Sequence, residues 1–352
     1  MNVIQRTMHR IDERQQGNKY VAFPFAVVKK FGDDQAGNLA ALIAYYGFFS
    51  IFPLLLVFVT ALGLALSGNP SLQHSIEQSA LRNFPVIGPQ ISRNIHSISG
   101  NGVALGIGIV GTLWAGLGVT MAAQNAMNTL WGVPRRQWPN FLWSRIRGLM
   151  LLAILGTITV AATFASGFGT SGGGGSWWKW PAGVAISLVL NLALFLLSFR
   201  VLTAKDVSWG DVLPGSVFSA VAWTILQIVG GYYVTHQLKG ASNVYGTFAI
   251  VIGLLVWIYL GAQITLYGAE INVVRKAHLW PRSLVQPPLA DADRRTYEHT
   301  ARVEERRPEE EVTVTFDRSA DEGATADSAA ASAEPANHAE DSAVAKQRHE
   351  AS

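Results

Sequence analysis

Tyr259, Gln263, Tyr267 and Glu270 recur at i, i+4, i+8 and i+11 along one long apolar run, a spacing that places them on a single helical stripe. Phenol, amide and carboxyl groups in line can hold a polar solute, relay a proton, or knit helices together through hydrogen bonds. Glu270 is the sharpest of them, because a carboxylate at the edge of an apolar run often marks an ion or substrate path. Its place near the end of the run also lets it reach headgroup water or pair with Arg275. A second set lies in NLAALIAYYGFFSIFPLLLVFV, from Asn38 to Val59, where Tyr46, Ser50 and Pro53 share a face. Pro53 lacks an N–H, so the carbonyl of Phe49 loses its helical partner and a kink is expected there. Asn191 and Gln227 fall near the centres of two further runs, and Gln124, Asn125 and Asn128 cluster at the end of another.

A polar group in hydrocarbon costs roughly several kcal/mol unless something satisfies it. These side chains are therefore expected to face one another across an interior seam lined by Tyr46, Ser50, Asn125, Gln227, Tyr259, Gln263, Tyr267 and Glu270. Such groups serve as packing glue or as the lining of a pathway, and the sequence leaves both open. Gly261, Thr265 and Ala269 form a small-residue ridge beside the stripe, of the kind that lets helices approach closely.

The elements that must position these groups follow from composition. Of 352 residues, 49% are hydrophobic and 14% charged, against about 25% charged in an ordinary soluble domain. An all-α integral membrane protein is expected. With no cysteine, disulfides, thiol nucleophiles and thiolate metal sites are excluded. Six uncharged runs are long enough to cross a bilayer, about 39–66, 103–127, 149–168, 181–199, 212–235 and 247–269. Together they make a six-span bundle over 38–280. The first is too long for a signal-peptide core and reads as a retained span. A glycine tract and Trp177, Trp178 and Trp180 precede the fourth, as an interfacial belt would.

Lysine and arginine alternate in density between the connecting segments. With the N-terminus inside, the inner segments carry fifteen, from Arg6 through Lys29, Lys30, Arg135, Arg136, Arg145, Arg147, Arg200 and Lys205 to Arg282, and the outer ones only Arg82, Arg93, Lys179 and Lys239. That bias puts both termini in the cytoplasm and makes anionic lipid headgroups the expected partners of the basic face. Residues 1–37 read as a cytoplasmic amphipathic segment, in which the stripe Ile4, Met8 and Ile11 makes an interfacial helix on the leaflet. Residues 70–100 read as an outer pair of amphipathic helices. From Ser283 onward there are sixteen acidic and eight basic side chains and few apolar ones, so 281–352 is expected to be a disordered acidic tail, a possible tether for a protein partner.

Three stretches, AYYGFFSIFPLL (Ala44 to Leu55), LWAGLGVTMAAQNAMNTLWGVP (Leu113 to Pro134) and VWIYLGAQITLYGAEIN (Val256 to Asn272), resemble the recurrent signatures of the YihY/BrkB family of bacterial inner-membrane proteins. The resemblance runs from about Phe25 to Lys276. It implies a six-span helical bundle in the inner membrane, linked to envelope integrity and to export of lipids or other solutes. The family has also carried a ribonuclease BN label. Metal-dependent RNA hydrolysis needs clustered His and carboxylate ligands, whereas the eight histidines show no His-x-His or His-x-x-x-His spacing. No P-loop or Gly-x-Ser-x-Gly elbow occurs either. The expected function is translocation of a lipid or other envelope-related solute, with a non-catalytic scaffolding role as the alternative. No enzyme activity, cofactor, metal or nucleic-acid partner is expected.

Overall fold

The computed structural model describes residues 3–65, 102–170, 179–236, 238–286 and 289–317. Among them the chain is helical, with no strand: α1 (Val3–Gly17), α2 (Lys19–Asp33), α3 (Ala36–Ala65), α4 (Gly102–Leu130), α5 (Phe141–Thr170), α6 (Lys179–Leu202), α7 (Trp209–His236), α8 (Leu238–Lys276) and α9 (Asp291–Ala301). The expected outer helices of 70–100, the glycine tract beyond Thr170 and the tail beyond Asp317 lie outside the described residues.

Among the described residues, five helical stretches are long and apolar enough to cross a membrane: 36–54 in α3, 106–130 in α4, 185–202 in α6, 209–230 in α7 and 251–276 in α8. Six were expected. The missing one corresponds to α5, whose side chains lie outside the described residues for most of the stretch beyond Ile154.

The bundle closes most tightly at one end. Lys30 donates to the carbonyl of Leu130 at 3.3 Å, and Asn128 Oδ1 accepts from the Ala204 amide at 2.8 Å. Gln124 and Ser144 bond each other twice, at 2.9 and 3.0 Å, and Arg275 reaches the Gly210 carbonyl at 3.4 Å. These bonds gather the last turns of α4, α6 and α8 with the first turns of α5 and α7. The buried core lies there too, built from Met127, Leu130, Phe199, Leu266, Val273 and their neighbours. Elsewhere Phe49, Phe52, Trp114, Ile225 and Val256 are exposed, as side chains meant for lipid are. Where α7 crosses α8, Gly215 lies against the backbone of Gly268 so closely that a Cβ would collide with its carbonyl oxygen.

Two expectations about the chain ends are corrected. The N-terminal segment is not amphipathic surface throughout: α2 starts at Asn18, which accepts from the Tyr20 amide at 3.0 Å, and buries Ala22, Ala26, Val27, Lys30 and Phe31 against the bundle. The tail is ordered through much of its first part: α9 and the 3-10 turn Arg302–Glu304 dock on the same end. Composition argued for disorder because little apolar surface was on offer. Ion pairs and backbone hydrogen bonds hold the segment instead.

Candidate functional site

Helix α2 delivers Lys30 to the interior. Its side chain is fully buried, hydrogen-bonded to Asp34 one turn on and 3.5 Å from Glu270 Oε2. Asp34 follows from the same helical register, and Glu270 arrives from α8. One ammonium thus stands between two carboxylates. Burial by itself would push the Lys30 pKa down, but the charges of Glu270 and Asp34 and the Asp34 hydrogen bond outweigh it, so it is held above the usual lysine value. Glu270 is also fully buried, and neither carboxylate oxygen has a hydrogen-bond partner among the described residues.

Above this cluster the stripe of α8 is covered by α2 and the start of α3. Tyr267 stacks on Phe31 with ring centroids 3.9 Å apart and planes 6° apart. Gln263 donates to the Tyr259 hydroxyl at 3.1 Å, and a Cβ on Gly37 would stand 3.7 Å from that same oxygen. The four residues of the stripe therefore do share one face, turned toward the N-terminal helices. Glu270 pairs with Lys30, not with Arg275, whose exposed side chain turns to Gly210.

The remaining seam candidates do not join them. Asn125 is exposed, because the register that buries Gln124 and Asn128 turns it outward. Tyr46 is 38% exposed and packs its ring on Gly118. Ser50 donates to the carbonyl of Gly47 in its own helix at 2.7 Å, and Pro53 packs on Gly111. Gln227 is half-buried on α7. Asn191 bonds Thr224 at 3.3 Å, tying α6 to α7. Gly261 meets the Trp223 ring.

A second layer of charge seals the cluster from outside. Arg282, fully buried, pairs with Asp33 at 2.8 Å and with Asp293. Lys29 donates to Asp293 at 2.9 Å and to the Ser283 carbonyl at 2.6 Å, while Asp12 of α1 accepts from the Leu284 amide at 2.9 Å. Burial would raise the Asp293 pKa, but bonds from the Ser283 amide, Arg282 and Lys29 hold it below the usual range. His299 of α9 lies over Gly132, which has φ +60° and no room for a Cβ. Burial, and the charges of Lys30 and Lys205, push its pKa down to about 3. Thr300 donates to Asp34 at 3.3 Å, so the tail touches the buried cluster directly.

Sequence reasoning found Glu270 but missed Lys30, Asp34, Arg282, Asp293 and His299 as parts of a site. For Lys30 there was a signal: it falls on the apolar stripe Ala22, Ala26, Phe31, where a lysine needs a buried partner. For Arg282 and Asp293 there was none, since their pairing spans the junction between bundle and tail.

The profile of the family described as virulence factor BrkB matches residues 27–290, three-quarters of the chain, leaving out α1, the first turns of α2 and all of α9. Among curated relatives, the ribonuclease-like protein YfkH of Bacillus subtilis is 26% identical over 250 residues, covering 67% of this chain and 88% of its own. The inner membrane protein YhjD of Escherichia coli is 24% identical over 277 residues, covering 73% and 82%. A UPF0761 membrane protein of Pseudomonas paraeruginosa is 26% identical over 285 residues, covering 78% and 68%. No solved structure gives a significant match. The chain belongs to the BrkB family of multi-pass membrane proteins.

Proposed function

We propose that the protein is a translocator of a lipid or other envelope-related solute in the bacterial inner membrane, with both termini cytoplasmic and the α8 stripe as its polar pathway. One observation carries this: Glu270 is fully buried on a spanning helix, its carboxylate facing Lys30 of another helix at 3.5 Å and making no hydrogen bond among the described residues. A stable scaffold gains nothing from such a group, because an apolar side chain of similar volume would cost less. An intramembrane carboxylate beside a lysine on a separate helix is instead suited to change partners as a pathway opens. In this reading α2 is the movable wall. Tyr267, Gln263 and Tyr259 lie behind it, and Lys30 is the contact that holds it shut.

The scaffold reading draws support from the same wall. Stacking of Phe31 on Tyr267 and the close α7–α8 crossing are what a permanently packed bundle would have. Native mass spectrometry of the detergent-purified full chain, wild type beside Glu270→Gln and Gln263→Ala, separates the two. A specific retained lipid or metabolite that is lost in the variants while they stay folded supports translocation and names the substrate class. Empty protein, or bound lipid unchanged by either substitution, overturns it in favour of the scaffold.

A further inference from the structure

Beside the buried cluster, on the outer surface of the same end, the loop between α4 and α5 forms a groove of about 440 Å³ together with the first turns of α5. Gln137, Trp138, Asn140, Trp143 and Arg147 line it, and no carboxylate is among the residues that do. Its polar groups are mostly donors. Arg147 offers a guanidinium that makes no ion pair or hydrogen bond with another described residue. Asn140 uses its side-chain oxygen to accept from the Trp143 amide at 3.2 Å, which leaves the amide nitrogen to donate. The Trp138 indole is fixed by donation to the Val133 carbonyl at 2.9 Å and has the Arg135 guanidinium over its ring at 5.2 Å.

The groove opens beside an apolar rim. Phe141, Leu142 and Trp143 are each at least 60% exposed, and Arg145 lies over the Phe141 ring at 4.0 Å. Exposed aromatics next to arginines at the end of a spanning helix belong at the boundary between headgroups and hydrocarbon. A ligand there meets donors on one side and acyl chains on the other.

We infer that this groove binds the phosphate of an anionic phospholipid headgroup, with Arg147 as its main anchor and Asn140 and Gln137 as supporting donors. A guanidinium matches phosphate oxygens in fixed geometry, and a donor-rich lining without carboxylates favours an anion over a cation. The rim selects a phosphate that arrives attached to acyl chains over one free in solution. The site stands whether or not the protein translocates anything, since it shares no residue with the α8 stripe.

The test is a titration of the detergent-purified full chain, read by native mass spectrometry, with dioctanoyl-phosphatidylglycerol, dioctanoyl-phosphatidylcholine and inorganic phosphate as separate probes. Loss of a charge-assisted contact predicts first-site binding of phosphatidylglycerol weaker by about tenfold in Arg147→Gln. Arg295→Gln, which removes the same charge from an exposed position on α9, should leave binding unchanged. Trp143→Leu, on the exposed rim, should weaken the lipid but not inorganic phosphate, and serves if Arg147→Gln does not fold. Equal binding of inorganic phosphate and phosphatidylglycerol to the wild type would overturn the lipid assignment. Unchanged phosphatidylglycerol binding in Arg147→Gln or Trp143→Leu, or equal loss in Arg295→Gln, would overturn the site.

Discussion

At the scale of single residues, the buried cluster is asymmetric, and the asymmetry is measurable. Removing Lys30 leaves Asp34 and Glu270 facing each other with no cation, whereas removing the charge of Glu270 leaves Lys30 still paired with Asp34. Breaking a buried ion pair from one side costs about 3–5 kcal/mol. Lys30→Met should therefore destabilise the detergent-solubilised protein by about that amount, and Glu270→Gln by much less, in equilibrium unfolding with both variants compared to wild type. Equal costs would mean that Lys30 and Asp34 do not form the stronger pair. His299 gives a second prediction. Its folded pKa of about 3 lies below the ordinary value of 6.5, so the undocked tail takes up a proton that the docked tail refuses. Docking is at full strength above pH 6.5 and weakens as the pH falls toward 3. The groups facing the ring include Lys30, Lys205 and Arg302, which repel the extra proton, with Asp34 close by through Thr300. The protection of amides across 289–305, taken as measured exchange relative to the intrinsic rate at each pH, should fall between pH 6.5 and 4.5, before Asp293 titrates. His299→Gln should flatten that response, and an unaltered response would assign the acid sensitivity to another group.

At the scale of helices, close packing is local and can be probed with glycine. Gly215 on α7 abuts the Gly268 backbone on α8, where no neighbouring side chain can swing aside to make room. Gly156 on α5 has no atom of a described residue within 4 Å of where a Cβ would stand. Gly215→Ala should force the helices apart and lower stability by about 1–3 kcal/mol or more. Gly156→Ala should raise it by up to about 1 kcal/mol, because alanine loses less backbone entropy in a helix. Thermal unfolding in detergent reads both, and a neutral Gly215→Ala would refute the tight crossing. The helices themselves were legible in the sequence, because uncharged runs of about 20 residues have few other uses. The stripe of α8 was legible too, since its period is intrinsic to one helix. What faced the stripe was not. Lys30 reads equally well as a topogenic charge or a buried one, and only the packing of α2 decides. Asn125 misled for a related reason: its neighbours Gln124 and Asn128 turn inward, and sequence proximity does not separate faces a residue apart. The order of the tail was hidden in Arg282, Asp293 and Asp12, whose partners lie far away in the chain.

At the scale of the whole molecule, the contacts at one end restrict how often the chain can cross the membrane. Residues 12–34 precede the first span and residues 282–300 follow the last, yet they bond each other through Asp12 and Leu284, Lys29 and Asp293, and Arg282 and Asp33. The two ends thus lie together, as an even number of crossings would place them. Helix α5 begins at the shared end, where Ser144 bonds Gln124, and α6 finishes there, where Ala204 bonds Asn128. If α6 crosses, α5 must cross in the opposite direction, and its 30 residues extend roughly 45 Å, ample for a hydrocarbon core of about 30 Å. The chain has no cysteine, so single substitutions give clean reporters. Ser176→Cys, between α5 and α6, and Glu309→Cys, beyond α9, should fall on opposite faces. A membrane-impermeant maleimide added to intact cells should label position 176 and spare 309 until the membrane is permeabilised. Labelling of both before permeabilisation would remove α5 as a crossing. Labelling of 309 alone would keep the six crossings but invert them, placing the basic end and the proposed phosphate groove on the outer face.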